Sequence, residues 1–458
     1  MSVRWLVVLA SCSSAGVARA DDTHYQDFVV GGRSMVLGGA YAALADDPSG
    51  IYYNPAGIAD VRHTSLQVST SLYGFERSSI GKSVGVPVPG LETLDIKKFT
   101  ELIIVPASAG FVSTFGEKGP DGLHKHTYGL SIMVPSFRSF STGAASDFAT
   151  YQRRVTDREL WAGAGYGYRL GEDLRVGVSC YYVLRSVADR EDVTVNQDTD
   201  LVDAEGKHIQ QRFQAVTNDI TFTNGSLLLI VGAKYQPVPG VTVGLALQSP
   251  SVGVHSQGSL QFTNAASDPT TSTSSSTFVR LIQANPRSES KKAAALRVGA
   301  SYVSAYRYTV TADATITAPV EYTLIDADPE FRQRLPFNPH VERKPVANFN
   351  VGGEYLIVRE VSIGAGIFSD LSTAPHIHTA SPSSDQQPHV DMMGLTMALG
   401  YFGDHSLSRL GVVYSFGSGQ DVIPVSDIRR VLAQDQAFQR VPYSQSFFYV
   451  FLSSTFRY

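Results

Sequence analysis

The residues that could do chemistry are few. His376 and His378 stand two apart, with His389 beyond them. Alternate residues of an extended segment share a face, and three imidazoles can hold a metal ion. The segment around them is polar, however, so the expectation is solvated histidines and no metal. Gly163-Ala164-Gly165-Tyr166-Gly167 has the look of a phosphate loop. It sits inside a period-2 segment, which argues against a nucleotide site. Neither a G-x-S-x-G elbow nor an H-E-x-x-H pair occurs, so neither an enzyme nor a cofactor is expected. The remaining candidates are charges: Arg175, Arg185, Arg297 and Arg409, with Arg457, Asp313 and Glu354 in the same phase. Such an arginine either pairs with a neighbouring carboxylate or backbone carbonyl, or binds a ligand carboxylate bidentately.

The segments that carry these charges explain their phase. From residue 64 onward, large apolar residues alternate with small or polar ones over about ten positions, the pattern of a membrane β-strand. In 393–401 the odd positions are Met393, Leu395, Met397, Leu399 and Tyr401, and Gly394, Thr396, Ala398 and Gly400 lie between. In 174–185, Leu174, Val176, Val178, Cys180, Tyr182 and Leu184 oppose Arg175, Gly177, Ser179, Tyr181, Val183 and Arg185. The same reading holds in 308–317 and 409–417.

A soluble β-sandwich also alternates, so the connections decide. Short turns fall at Gly116–His124, Leu170–Asp173, Pro237–Gly240, Ala305–Arg307, Val358–Glu360 and Gly403–Ser406. Long polar connections fall at about 78–100, 138–155, 188–215, 255–292, 320–345, 370–389 and 418–443. Six short turns interleaved with seven long loops make fourteen strands. One-sided loop length is the habit of outer-membrane barrels, whose short turns are periplasmic, and a sandwich has no reason to keep it. The segments 265–277 and 323–344 are read as solvated outside loops. Tyr166, Tyr168, Tyr302, Tyr308, Tyr355 and Tyr401 sit near strand ends, as an interfacial girdle requires.

Composition agrees. Only 17% of the 458 residues are charged, below the usual quarter, and the net charge of −5 gives no reason to expect nucleic acid. No apolar run is long enough for a spanning helix. Residues 1–20 read as a signal peptide, with Arg4, a short apolar core and Ala18-Arg19-Ala20 as the cleavage site. Leu9-Ala10-Ser11-Cys12 resembles a lipobox, which leaves a lipidated Cys12 as the alternative. Cys180 is the only other cysteine, so cleavage after Ala20 leaves no disulfide partner.

Between leader and first strand lies a small, glycine-rich stretch, "GGAYAALADDPSGIYYNPAGIAD", residues 38–60. It is neither a clean strand nor an amphipathic helix. Pro55 fixes one φ and turns Asn54 away from helix, and the Asn54 amide offers donors and an acceptor. Together with Gly31-Gly32-Arg33-Ser34, the fourteen strands and a terminal strand ending in Tyr458, it resembles the long-chain fatty acid outer-membrane transporters, the FadL/TodX group. The resemblance spans the mature chain in layout, but only the N-terminal block carries motifs.

That resemblance implies an all-β, 14-stranded antiparallel transmembrane β-barrel with a small N-terminal helical plug in its lumen. The domains would be signal peptide 1–20, plug 21–62 and barrel 63–458. Gly38, Gly39, Asn54, Pro55, Ala56 and Gly57 would form the plug and its gate. Pro135, which follows the apolar face of the third strand 126–137 (Tyr128, Leu130, Ile132 and Val134), would mark a lateral opening. The implied role is passive uptake of fatty-acid-like hydrophobic small molecules across the bacterial outer membrane, with outer-membrane lipid around the barrel and the barrel-assembly machinery as its partner in biogenesis. Some relatives with this block instead shuttle secreted proteins, which is the alternative function.

Overall fold

The computed structural model describes residues 23–25, 28–80, 100–103, 106–119, 122–145, 149–198, 211–268, 275–304, 307–332, 339–377, 387–424 and 438–458. The leader and its Cys12 alternative lie outside the described residues, as do His378 and the middles of several long connections.

The strands are β1 (Ser65–Ile80), β2 (Thr100–Ile103), β3 (Pro106–Lys118), β4 (His124–Ala145), β5 (Ala149–Arg169), β6 (Leu174–Asp198), β7 (Gln211–Val238), β8 (Val241–Gln248), β9 (Val252–Asp268) and β10 (Ser275–Ala284). They continue with β11 (Ala295–Val303), β12 (Tyr308–Thr317), β13 (Val320–Thr323), β14 (His340–Arg343), β15 (Val346–Val358), β16 (Val361–Asp370), β17 (His389–Phe402), β18 (Ser406–Pro424) and β19 (Phe438–Arg457). Antiparallel ladders join β1, β3, β4, β5, β6, β7, β8, β11, β12, β15, β16, β17, β18 and β19 in that order. β19 returns to β1 with Phe456 opposite Leu66. The sheet closes into a fourteen-stranded barrel without an edge, which is what a bilayer demands of strands.

Strand parity sets which residues face outward and which face the lumen. Met393, Leu395, Met397, Leu399 and Tyr401 face outward, while Thr396 and Ala398 between them are buried. On β6, Leu174, Val178 and Tyr182 are exposed and Arg175, Ser179, Tyr181 and Arg185 are buried. Tyr166, Tyr302, Tyr308, Tyr355 and Tyr401 are exposed, next to the short turns that close their strands.

Beyond the apolar belt the strands run further than their alternation suggested. The segments 138–155, 188–215 and 255–292 are not simply loops. β4 and β5 form one long hairpin, as do β6 and β7, and the wall is extended by β9, which pairs with the outer part of β7, and by β10, which pairs with β9. Polar side chains on both faces hid these extensions, because a sheet in water needs no outward apolar phase. The 323–344 segment is also not a plain solvated loop. It connects β13 to β14 and includes β14, the two strands pairing with each other, and Tyr322, Leu324, Ile325, Phe331 and Val341 pack into a core with Val216, Ile220, Phe222, Leu260 and Phe262 of the wall.

Candidate functional site

The stretch from Phe28 to Val61 lies inside the barrel. It is built from three single helical turns, Arg33–Val36, Gly50–Tyr53 and Gly57–Asp60, joined by tight reversals. Gly38 and Gly39 sit at φ 62° and 84°, a region where a side chain is strained, so two consecutive glycines make this reversal. Leu37, Tyr41, Ile51, Tyr52, Tyr53 and Ile58 are buried together with Met133, Trp161, Tyr181, Leu228 and Ile230 of the wall.

One-turn helices leave most backbone groups without internal partners, and buried groups must find them elsewhere. The wall supplies them. Asp313 Oδ2 accepts from the backbone N–H of Tyr41 and Ala42 at 2.6 and 2.7 Å. Asn350 Nδ2 donates to Gly38 O (2.6 Å), Thr396 to Val36 O (3.1 Å) and Ser179 to Ile51 O (2.9 Å). Lys234 Nζ donates to Leu44 O at 2.5 Å. Arg297 Nη1 donates to Tyr52 O and Tyr53 O at 3.1 and 2.9 Å, with its guanidinium over both rings.

Asn54 ties the two halves of the plug to the wall. Its Nδ2 donates to Ala42 O (2.8 Å) and to Ala233 O of β7 (3.0 Å), and its Oδ1 accepts from Ala56 N–H (3.1 Å). Pro55 presses so close to β6 that a Cβ on Gly177 would lie 2.3 Å from its carbonyl carbon. The wall opposite Asn54 is equally tight, with a Cβ on Gly232 only 2.0 Å from Oδ1. Ala56 is fully buried, and a Cβ on Gly57 would strike the Ala45 methyl at 2.4 Å. Further wall glycines, including Gly244, Gly352 and Gly366, meet plug backbone in the same way.

Ion pairs fix the end of the plug nearest the short turns. Asp60 meets Arg169 (3.0 Å), Arg175 (2.7 Å) and Lys234 (2.9 Å). Burial alone would raise its carboxyl, but Lys234 and Arg175 outweigh that and hold it below the ordinary carboxylate value. A depressed folded value means the anchor is complete above the unfolded carboxylate range, near pH ~4, and weakens only as pH falls through the lower folded value. Arg33 bridges Asp46 (2.8 Å) and Glu354 (3.0 Å), and Tyr41 donates to Asp46 at 2.7 Å.

The four candidate arginines therefore have distinct settings. Arg175 holds Asp60 and Arg297 caps plug carbonyls. Arg185 lies apart from the plug in a bidentate pair with Asp157 (3.1 and 2.6 Å). Arg409 reaches Glu354 at only 3.5 Å. The wall contacts of Asp313, Asn350, Thr396, Ser179 and Lys234 and the triple pairing of Asp60 escaped the sequence reading. The available signal was parity: every one of those wall residues is polar and lies on the lumen phase.

Pro135 sits at a defect in the wall. Met133 pairs with Trp161 of β5 and Ser136 with Glu159, so Val134 and Pro135 together oppose a single residue. Such a bulge accepts a residue with no N–H. On its other side β4 pairs with β3 only as far as Met133↔Ser108. Among the described residues no ladder continues from there to β2 or β3. The plug reaches into this place: Phe28 N–H donates to Pro135 O at 3.1 Å, and the Phe28 ring meets Tyr449 edge-on at 5.5 Å. The leading end is hung from the far rim of the barrel, where Ser372 donates to Thr23 Oγ1 (2.8 Å) and Thr373 N–H to Thr23 O (3.0 Å).

No family model matches the chain, and no curated protein matches it. Solved structures do. A Pseudomonas aeruginosa FadL homologue superposes with a TM-score of 0.60 at 14% identity, over 95% of this chain and 99% of that one. The Pseudomonas putida toluene transporter TodX gives 0.56 at 12% identity, over 95% and 100%. The Ralstonia pickettii toluene transporter TbuX gives 0.51 at 13% identity, over 94% and 99%. Fourteen closed antiparallel strands around a buried N-terminal segment, matched from end to end by these structures, give this chain the fold of the FadL homologue and the TodX and TbuX barrels.

Proposed function

We propose that the protein is an outer-membrane channel for passive uptake of long-chain fatty acids or other hydrophobic compounds, gated by the N-terminal plug and emptied sideways through the wall at Pro135. The carrying observation is the Phe28–Pro135 contact: the plug at Phe28 lies against the place where the β3–β4 ladder stops. Two of the similar solved structures are toluene transporters by name, which supports a hydrophobic cargo.

The mechanism follows from unequal anchoring. Asp60, Arg33 and Asn54 hold the plug toward the short-turn end by charge and by buried hydrogen bonds. Phe28 is held differently, by its backbone bond to Pro135 O and by apolar packing with Met35, Val36, Tyr449 and Phe451. A ligand entering from the long-loop end displaces Phe28 together with the Val36 turn that packs in the same cluster, and the gap beside Pro135 then leads it into the bilayer. Each CH₂ moved out of water contributes about 0.8 kcal/mol, so a long acyl chain binds without specific chemistry. Bilayer lipid is an equally apolar destination, so passage needs no energy source.

The test is uptake of labelled oleate and labelled toluene by cells making the wild-type chain, Pro135→Ala, or neither. Wild-type cells should exceed the empty cells. Pro135→Ala restores an N–H and favours straight pairing, so its uptake should fall several-fold with unchanged surface level. No uptake above empty cells would refute the channel, and unimpaired uptake by Pro135→Ala would refute the lateral exit.

A further inference from the structure

A cavity of 390 Å³ opens at the short-turn end, between the plug and the wall. This is within the size range of small-molecule pockets, roughly 300–1,000 Å³. Its lining combines basic groups (Arg33, Arg409, Arg457) and carboxylates (Asp46, Asp47, Asp60, Glu354) with apolar surface (Phe402, Leu407).

The charges there are unequally satisfied. Glu354 is well used: Oε2 takes Arg33 Nε at 3.0 Å, and Oε1 takes Ser362 Oγ at 3.0 Å. Arg33 spends its other two nitrogens on Asp46 (2.8 Å) and Thr309 (3.1 Å). Arg409 is left short. Its side chain is 3% exposed, and among the described residues its one ion-pair contact is the 3.5 Å approach to Glu354 and its Nε has no hydrogen-bond partner. The guanidinium stands over the Phe402 ring at 5.8 Å. Arg457, partly buried beside it, makes no ion pair among the described residues, although its backbone N–H donates to His405 O.

A buried guanidinium with a free donor is costly unless something fills the place, and a two-oxygen anion fits its fork. We infer that Arg409 and Arg457 form an anion site that takes a carboxylate on a short apolar stem, with the oxygens on the guanidiniums and the stem against Phe402 and Leu407. This deepens the uptake reading and rests on it for the ligand class, while the cavity itself lies at the short-turn end, away from the Pro135 gap, so that loss of octanoate binding and loss of oleate uptake are separate results.

Calorimetry on the full-length protein in non-ionic detergent tests the site, with sodium octanoate and octan-1-ol as probes and inorganic phosphate as competitor. Octanoate should bind the wild-type chain. Losing one charge-assisted contact should weaken it about tenfold in Arg457→Gln, and Arg409→Gln should abolish it. Octan-1-ol, which lacks the charge, should not respond to either substitution. Arg457 is only partly buried, so its variant keeps the test valid if Arg409→Gln fails to assemble. Phosphate that displaces octanoate supports the site and assigns it to bare anions as well. Phosphate that does not supports the site for amphipathic carboxylates alone. Octanoate affinity unchanged in Arg457→Gln and in assembled Arg409→Gln, as binding elsewhere in the lumen would give, overturns the inference.

Discussion

Asn54→Ala should give a barrel that assembles at normal levels and takes up no oleate. Asn54 is completely buried, and its amide serves Ala42 O, Ala233 O and Ala56 N–H at once. Alanine leaves those three backbone groups without that partner in a dry interior, at a cost of about 1–3 kcal/mol each. The loss falls on the plug and not on the wall, because β7 keeps its ladders to β6 and β8. Asn54→Asp discriminates further: it keeps the acceptor for Ala56 N–H but removes both donors, and should fail like alanine. Heat-modifiable electrophoretic mobility reports assembly, and labelled oleate reports transport. A folded Asn54→Ala protein with normal uptake would count directly against a plug held by this residue.

The larger effect comes from removing residues 21–62 altogether. The barrel should still form, since its strands close on one another and β1 begins at Ser65. The lumen left behind is polar. Arg169, Arg175 and Lys234 lose Asp60, Arg297 loses two carbonyls, and Asp313 loses two N–H donors. Water must enter to solvate these charges. The expected phenotype is lost oleate uptake together with a gain in permeability to small polar solutes, read as conductance in planar bilayers and as sensitivity to hydrophilic antibiotics. Retained oleate uptake would mean that the plug has no part in the path.

Parity made the barrel legible in the sequence. A strand between lipid and lumen has to alternate, so Met393 to Tyr401 and Leu174 to Leu184 declared both their structure and their facing. The six short turns were legible because each must reverse the chain in a few residues. The outer extensions were not, because water on one side removes the outward apolar requirement; most of β9 and β10 fell within the long polar connection 255–292. The buried core around Tyr322, Leu324, Phe331 and Val341 was masked by the charges between those residues.

The plug was legible as an oddity and not as a site. Asn54-Pro55-Ala56 and the Gly38-Gly39 reversal announce a compact, non-repeating segment. Nothing local announces that Asp313 will meet Tyr41 and Ala42, or that Asn350 will meet Gly38, since those pairs lie some 270 and 312 residues apart. Pro135 was visible as a break in pairing, whereas its contact with Phe28 depends on where the plug ends up.

The gating claim has one direct measurement. Val36 and Gly364 come close enough that a Cβ on Gly364 would stand 3.6 Å from the Val36 Cβ, within the range for a disulfide. Val36→Cys with Gly364→Cys, in a Cys180→Ser background, staples the plug to β16. Oleate uptake is then compared in oxidised cells and after reduction. A moving plug predicts that the oxidised protein takes up no oleate and recovers on reduction. Equal uptake in the two states would show that ligand passes a stationary plug, and would contradict the account.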